Sequence, residues 1–203
     1  MFGKHRRRRQ LDRQRQKRRG WGTMSEGTLP AADIEAWKSA GVDAFRRGDY
    51  QTAEEAFQQV LAQCERMGDE AGQAEMRVNL GVLAIQRGEY TSAERLLQEA
   101  LETFRRLGRR SEEAQVLGNL GTLYERRGQA GRASEYYRQA VTMFEELGER
   151  ENAQATLAAL TRLQVTHRKW LESLFTYERM LAAGQKLTFK QRLFRWLFRI
   201  MSR

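Results

Sequence analysis

Residues 80–104 read LGVLAIQRGEYTSAERLLQEALETF, and residues 120–144 read LGTLYERRGQAGRASEYYRQAVTMF. The second stretch is the first displaced by 40 positions: Leu80 and Leu120, Gly81 and Gly121, Gly88 and Gly128, Ala93 and Ala133, Leu97 and Tyr137, Leu101 and Val141. The marks also extend backward, to Gly41, Gly48, Ala53, Phe57 and Leu61. A further ladder, Gly68, Gly108 and Gly148, keeps the same step. Independent ladders at one period describe a tandem array.

Between the marks the apolar spacing is helical. Val78, Val82 and Ile85 recur at four and three, as do Tyr90, Ala93, Leu97, Ala100, Leu101 and Phe104 after the turn. Each unit therefore reads as helix, short turn at Arg-Gly, helix, and a loop around the second glycine. Gly48, Gly88 and Gly128 suit the position just past a helix end, where a left-handed backbone costs glycine little. Ala53, Ala93 and Ala133 are small where two helices cross closely. One helix pair leaves a face uncovered, and stacking the pairs covers it. The expected fold is an all-α solenoid.

The pattern resembles the tetratricopeptide repeat. The first unit supplies Trp37, Ala40, Gly41, Gly48, Tyr50, Ala53 and Phe57; the second Leu80, Gly81, Gly88, Tyr90, Ala93, Leu97 and Ala100; the third Leu120, Gly121, Tyr124, Gly128, Ala133, Tyr137 and Ala140. The usual closing proline is absent and the period is longer than the common one. Repeats of this longer type, with Asn79 and Asn119 in their first helices, look like those of kinesin light chains and G-protein-signalling modulators. The array is expected over residues 31–185, as repeats at about 34–73, 74–113 and 114–153 and a degenerate fourth at 154–185. In that fourth unit Leu160, Trp170, Ser173, Tyr177 and Leu181 continue the ladders, and Arg168 stands where the turn glycine would be.

The resemblance implies a superhelix with a concave face lined mainly by first helices. Its groove positions fall on Lys38, Val42 and Arg46, on Glu75, Val78, Asn79 and Val82, and on Gln115, Gly118, Asn119, Thr122 and Arg126. Ile85 extends the apolar part of the second set. An asparagine both donates and accepts, so it can pair with both sides of a peptide group. Asn79 and Asn119, one repeat apart, then hold an extended peptide backbone at two points. In the alternative, both amides bond within or between helices and stiffen the stack. The Lys/Asn set that grips a terminal carboxylate in chaperone-type repeats is not evident.

The charge is concentrated at the ends. Of the net +10, residues 1–23 contribute +9 and residues 186–203 contribute +6, which leaves −5 for the body. The arm 1–30 carries Arg6, Arg7, Arg8, Arg9, Arg13, Arg15, Lys17, Arg18 and Arg19. Its few apolar residues cannot bury a face, and no apolar core follows the arginines as a secretory signal requires. Arginine suits bidentate phosphate contacts, so nucleic acid or anionic lipid would serve as partner; a solubilising tail is the plainer reading. In residues 186–203, Arg192, Arg195, Arg199 and Arg203 form one stripe. Phe189, Leu193, Phe194, Trp196, Leu197, Phe198, Ile200 and Met201 cover the rest of the helical circle. This composition matches an interfacial amphipathic helix. A docking helix for a protein partner, or a helix capping the stack, are the other readings.

Several function classes are excluded or weakened. Cys64 is the only cysteine, and His5 and His167 are the only histidines, so disulfide scaffolds and Cys- or His-rich metal centres are not expected. No run of 18 apolar residues is present. No phosphate-binding glycine loop or nucleophile–base pair appears, so no enzyme activity, metal or cofactor is expected. Cys64 aligns with Phe104 and Phe144 and reads as a core residue. Arg105-Arg106 and Arg109-Arg110 read as solvated faces near helix ends. The expectation is a cytoplasmic, non-catalytic adaptor that holds a peptide or helix of a partner protein, peripheral on an anionic membrane through its ends. The alternative is an RNA-associated assembly factor that uses the arginine arm.

Overall fold

The computed structural model describes residues 31–182, with side chains over residues 34–168. These form seven helices: α1 (Ala31–Arg46), α2 (Tyr50–Met67), α3 (Glu70–Arg87), α4 (Tyr90–Arg106), α5 (Arg110–Arg126), α6 (Ala130–Glu146) and α7 (Arg150–Ala182). No strand occurs among the described residues. The chain divides into two compact units, Met1–Asp69 with α1 and α2, and Glu70–Arg203 with α3 to α7.

The turns are uniform. Gly48, Gly68, Gly88, Gly108, Gly128 and Gly148 all have positive φ, between 66° and 78°. After each, a backbone N–H reaches back five residues: Asp49 to Ala44, Asp69 to Cys64, Glu89 to Ala84, Arg109 to Phe104, Gln129 to Tyr124 and Glu149 to Phe144, at 2.8–2.9 Å. This is the bond that closes a helix through a left-handed glycine. The second glycine ladder thus makes the same tight turn as the first, not a looser loop. At the first turn Asp49 also caps α2, accepting from the Thr52 backbone N–H and from its hydroxyl at 2.8 Å.

The expected turn at Arg168 is not formed. Helix α7 runs unbroken from Arg150 to Ala182, so the fourth unit is one long helix and not a helix pair. The reason is local. No glycine occurs between Gly148 and Gly184, and a left-handed residue with a side chain costs about 1–2 kcal/mol.

In the first unit, Ala53, Ala56, Phe57, Val60 and Cys64 of α2 are buried, and Cys64 is the core residue its alignment suggested. In the second unit, successive helices from α3 to α7 pack on one another. Their shared core includes Leu97, Leu101, Phe104, Leu117, Leu120, Leu123 and Phe144. Tyr124, Ala133, Tyr137, Leu160 and Leu163 seat α7 on α5 and α6. Across the α4–α5–α6 junction, Glu94 accepts from the Tyr124 hydroxyl at 2.5 Å and from Arg127 at 2.7 Å. Tyr136 stacks on the Tyr124 ring at 5.3 Å. The arginine runs are exposed and paired: Arg105 with Glu113, Arg106 with Glu70, Arg109 with Glu112 and Arg110 with Glu146. Such surface pairs contribute little individually.

Candidate functional site

The second unit contains a hollow of about 500 Å3 between α5, α6 and α7. Gln115, Gly118, Asn119 and Thr122 line it from α5, Tyr137 and Phe144 from α6, and Asn152, Ala155, Thr156 and Ala159 from α7. The three α5 side chains expected there, Gln115, Asn119 and Thr122, are thus brought together. Arg126, the fourth, is exposed and does not line the hollow. On α3, Glu75 is exposed, Asn79 and Val82 are half-buried, and Val78 packs against the core. Ile85 is 3% exposed and belongs to that core, so it adds nothing to a groove. In the first unit, Lys38 lies 3.3 Å from Glu35, Val42 is half-buried, and Arg46 faces Asp43 at 3.9 Å. The arm residues at 6–19 and the amphipathic segment at 189–200 lie outside the described residues.

The polar groups in the hollow divide into two sets. In the first, the hydrogen-bonding capacity is used internally. The Tyr137 hydroxyl donates to Glu125 at 2.7 Å and lies 3.1 Å from the Thr122 hydroxyl, which is also 3.2 Å from the Gly118 carbonyl. An ionised carboxylate only accepts, so the Tyr137 proton is committed to Glu125. Arg162 stands 3.8 Å from the same carboxylate. The Thr156 hydroxyl donates to the Asn152 carbonyl, and the Asn152 amide donates to Glu149. The second set is Asn119 with Gln115, whose amides make no hydrogen bond to any other described residue; the same holds for Asn79 on α3. Helix interiors satisfy their own backbone groups, so these three amides retain their full donor and acceptor capacity. The bonds that a stiffening role requires of Asn79 and Asn119 are not made among the described residues.

Burial, reinforced by the Glu125 carboxylate and opposed by the Thr122 hydroxyl, pushes the Tyr137 phenol up to about 12. Burial together with Glu94 pushes Tyr124 to about 12 as well. A group whose native value is raised stabilises the fold below its unfolded value and loses that contribution as pH rises through the native one. Stability should therefore fall between about pH 10 and pH 12. Tyr137→Phe should flatten this decline, as read from urea unfolding at a series of alkaline pH values.

Six lining residues were not among the expected positions. Ala155 and Ala159 are Gln115 and Asn119 advanced by 40, so the ladder itself contained them. Tyr137 and Phe144 are core side chains whose edges form the floor, which no periodicity separates from the rest of the core. Among the described residues, no cluster of three or more His, Cys, Asp or Glu could hold a metal ion, and no helix is long and apolar enough to cross a membrane.

A family model described as tetratricopeptide repeat matches residues 33–106 and 72–146. Among solved structures, BtubC (BKLC) from P. vanneervenii is similar at a TM-score of 0.51 and 21% identity, over 82% of this chain and 75% of that one. At that identity the likeness is one of fold. No curated protein matches the chain.

Proposed function

The chain belongs to the tetratricopeptide repeat family, and on that premise we propose that it is a non-catalytic adaptor whose α3–α7 unit holds an extended segment of a partner protein. The repeat fold supports a protein-interaction role in general. The specific reading is supported by one observation: Asn79 and Asn119, one repeat apart on α3 and α5, are half-buried, and their amides have no hydrogen-bond partner among the described residues. An amide that donates and accepts complements a peptide group, and an extended chain repeats that group along its length.

The probe is a peptide enriched from a random 12-residue library displayed on phage and selected on the full chain. Asn79→Ala and Asn119→Ala should each weaken its binding about 2- to 10-fold, as expected for one hydrogen bond of about 0.5–1.5 kcal/mol. The melting temperature should hardly change, because neither amide bonds within the fold. Binding indifferent to both substitutions, or no enriched peptide, overturns the reading.

The ends extend the proposal to a surface. The arginine stripe and apolar face of residues 186–203 suit the headgroup boundary of an anionic membrane, and the arm supplies the second signal that stable attachment requires. Flotation with phosphatidylserine vesicles should be lost on removing residues 186–203. Retention without them rejects this part, and displacement of the chain from vesicles by RNA would favour the RNA-associated alternative.

A further inference from the structure

Glycine is the least favourable residue after proline in a helix interior, and its presence there asks for a reason. For three of the helical glycines the reason is packing. A Cβ would fall 2.6 Å from the Phe57 ring at Gly41, 3.0 Å from Leu97 at Gly81 and 2.5 Å from the Tyr137 ring at Gly121. Gly118 lies in the middle of α5 and has no such excuse, since nothing stands within 4 Å of where its Cβ would be. It lines the hollow instead. The equivalent position one repeat earlier is Val78, so the glycine is particular to α5. The missing side chain makes room for no other described residue; it opens the hollow down to the helix backbone.

We propose that the space over Gly118 is a specificity subsite for one uncharged side chain of the bound segment, and this rests on the groove reading above. The chemistry of the lining sets the class. In a chain that is 31% charged, none of the ten lining residues carries a charge. A charged group seated there would meet no counter-ion in the lining. Of the carboxylates bonded to lining side chains, Glu125 faces Arg162 at 3.8 Å and Glu149 accepts from the Asn152 amide at 2.7 Å. The hydroxyls of Thr122, Tyr137 and Thr156 donate to protein partners, and Phe144, Ala155 and Ala159 add apolar surface. Asn119 and Gln115, four positions apart on one face of α5, have amides with no hydrogen bond to any other described residue, available to main-chain groups. A volume of about 500 Å3 admits even the largest side chain with room for the main chain beside it.

The test uses the same enriched peptides on the full chain. They should share one uncharged bulky position (Leu, Met, Phe, Tyr or Trp), and changing it to Glu or Lys should weaken binding at least tenfold. Gly118→Leu, which occupies the space directly over the helix backbone, should weaken the parent peptide at least tenfold and erase the penalty for the Glu or Lys peptides. Gly118→Ala should weaken binding less while raising the melting temperature by about 2–4 °C, which shows that lost binding does not come from lost folding. Binding that depends on Asn79 and Asn119 but is unchanged in both Gly118 variants overturns the subsite and leaves the groove standing. Binding that ignores all four substitutions, or no enriched peptide, overturns both.

Discussion

Gly121→Ala destabilises the protein, although the same change at Gly118, one turn earlier on the same helix, stabilises it. A Cβ at position 121 would lie 2.5 Å from the Tyr137 ring, well inside contact distance. The ring has little freedom to withdraw, because its hydroxyl is tied to Glu125 and lies beside Thr122. Overpacking of this kind costs about 1–3 kcal/mol, which outweighs the gain of about 1 kcal/mol from replacing a helical glycine. The expected net loss is up to about 2 kcal/mol, and Gly121→Leu should lose more. Gly81→Ala should be close to neutral: the obstacle is the Leu97 side chain at 3.0 Å, which can shift by a few tenths of an ångström. Urea unfolding of the three alanine variants should give the order 118 above 81 above 121. A Gly121→Ala variant as stable as the parent would mean that the Tyr137 ring swings aside and gives up its bond to Glu125.

Gln63→Met stabilises the protein by about 1–3 kcal/mol. Gln63 is 2% exposed, and neither its amide nitrogen nor its amide oxygen has a partner among the described residues. A buried polar group left unpaired carries its full desolvation penalty, about 1–3 kcal/mol. Methionine has a similar length and no such group, and it already occupies the matching register of the third repeat as Met143. Thr103, the match in the second repeat, solves the problem differently by donating its hydroxyl to the Glu99 carbonyl at 2.9 Å. Gln63→Glu should be worse than the parent, because a buried carboxylate is costlier than a buried amide. The measurement is the urea midpoint at unchanged slope. No gain on going to methionine would show that the amide is hydrogen-bonded in solution.

Both predictions concern residues whose sequence marks look alike. Gly118 and Gly121 are two helical glycines in one segment, and only the atoms across from them distinguish a packing glycine from one that opens space. Thr122 lines the hollow with its hydroxyl already engaged by Gly118 and Tyr137. Arg126 shares its helix and its spacing but stands outside the hollow. Such differences arise from neighbours 15 to 40 positions away, which local spacing does not encode.

What the sequence determined by itself is the repeat: its period of 40, its helix pairs, and each turn. The physical reason is that those features are local. A left-handed turn needs glycine, a close crossing needs alanine, and a helix face needs apolar residues three and four apart, so each is written at its own position. The unbroken course of α7 also has a local cause, the missing glycine, although the ladders pointed to a fourth repeat there. Only the tertiary structure decided where a hollow opens, which amides remain unpaired, and which core rings form its floor. Those properties are sums over contacts between α5, α6 and α7, and a vacancy between helices exists only once all three are in place.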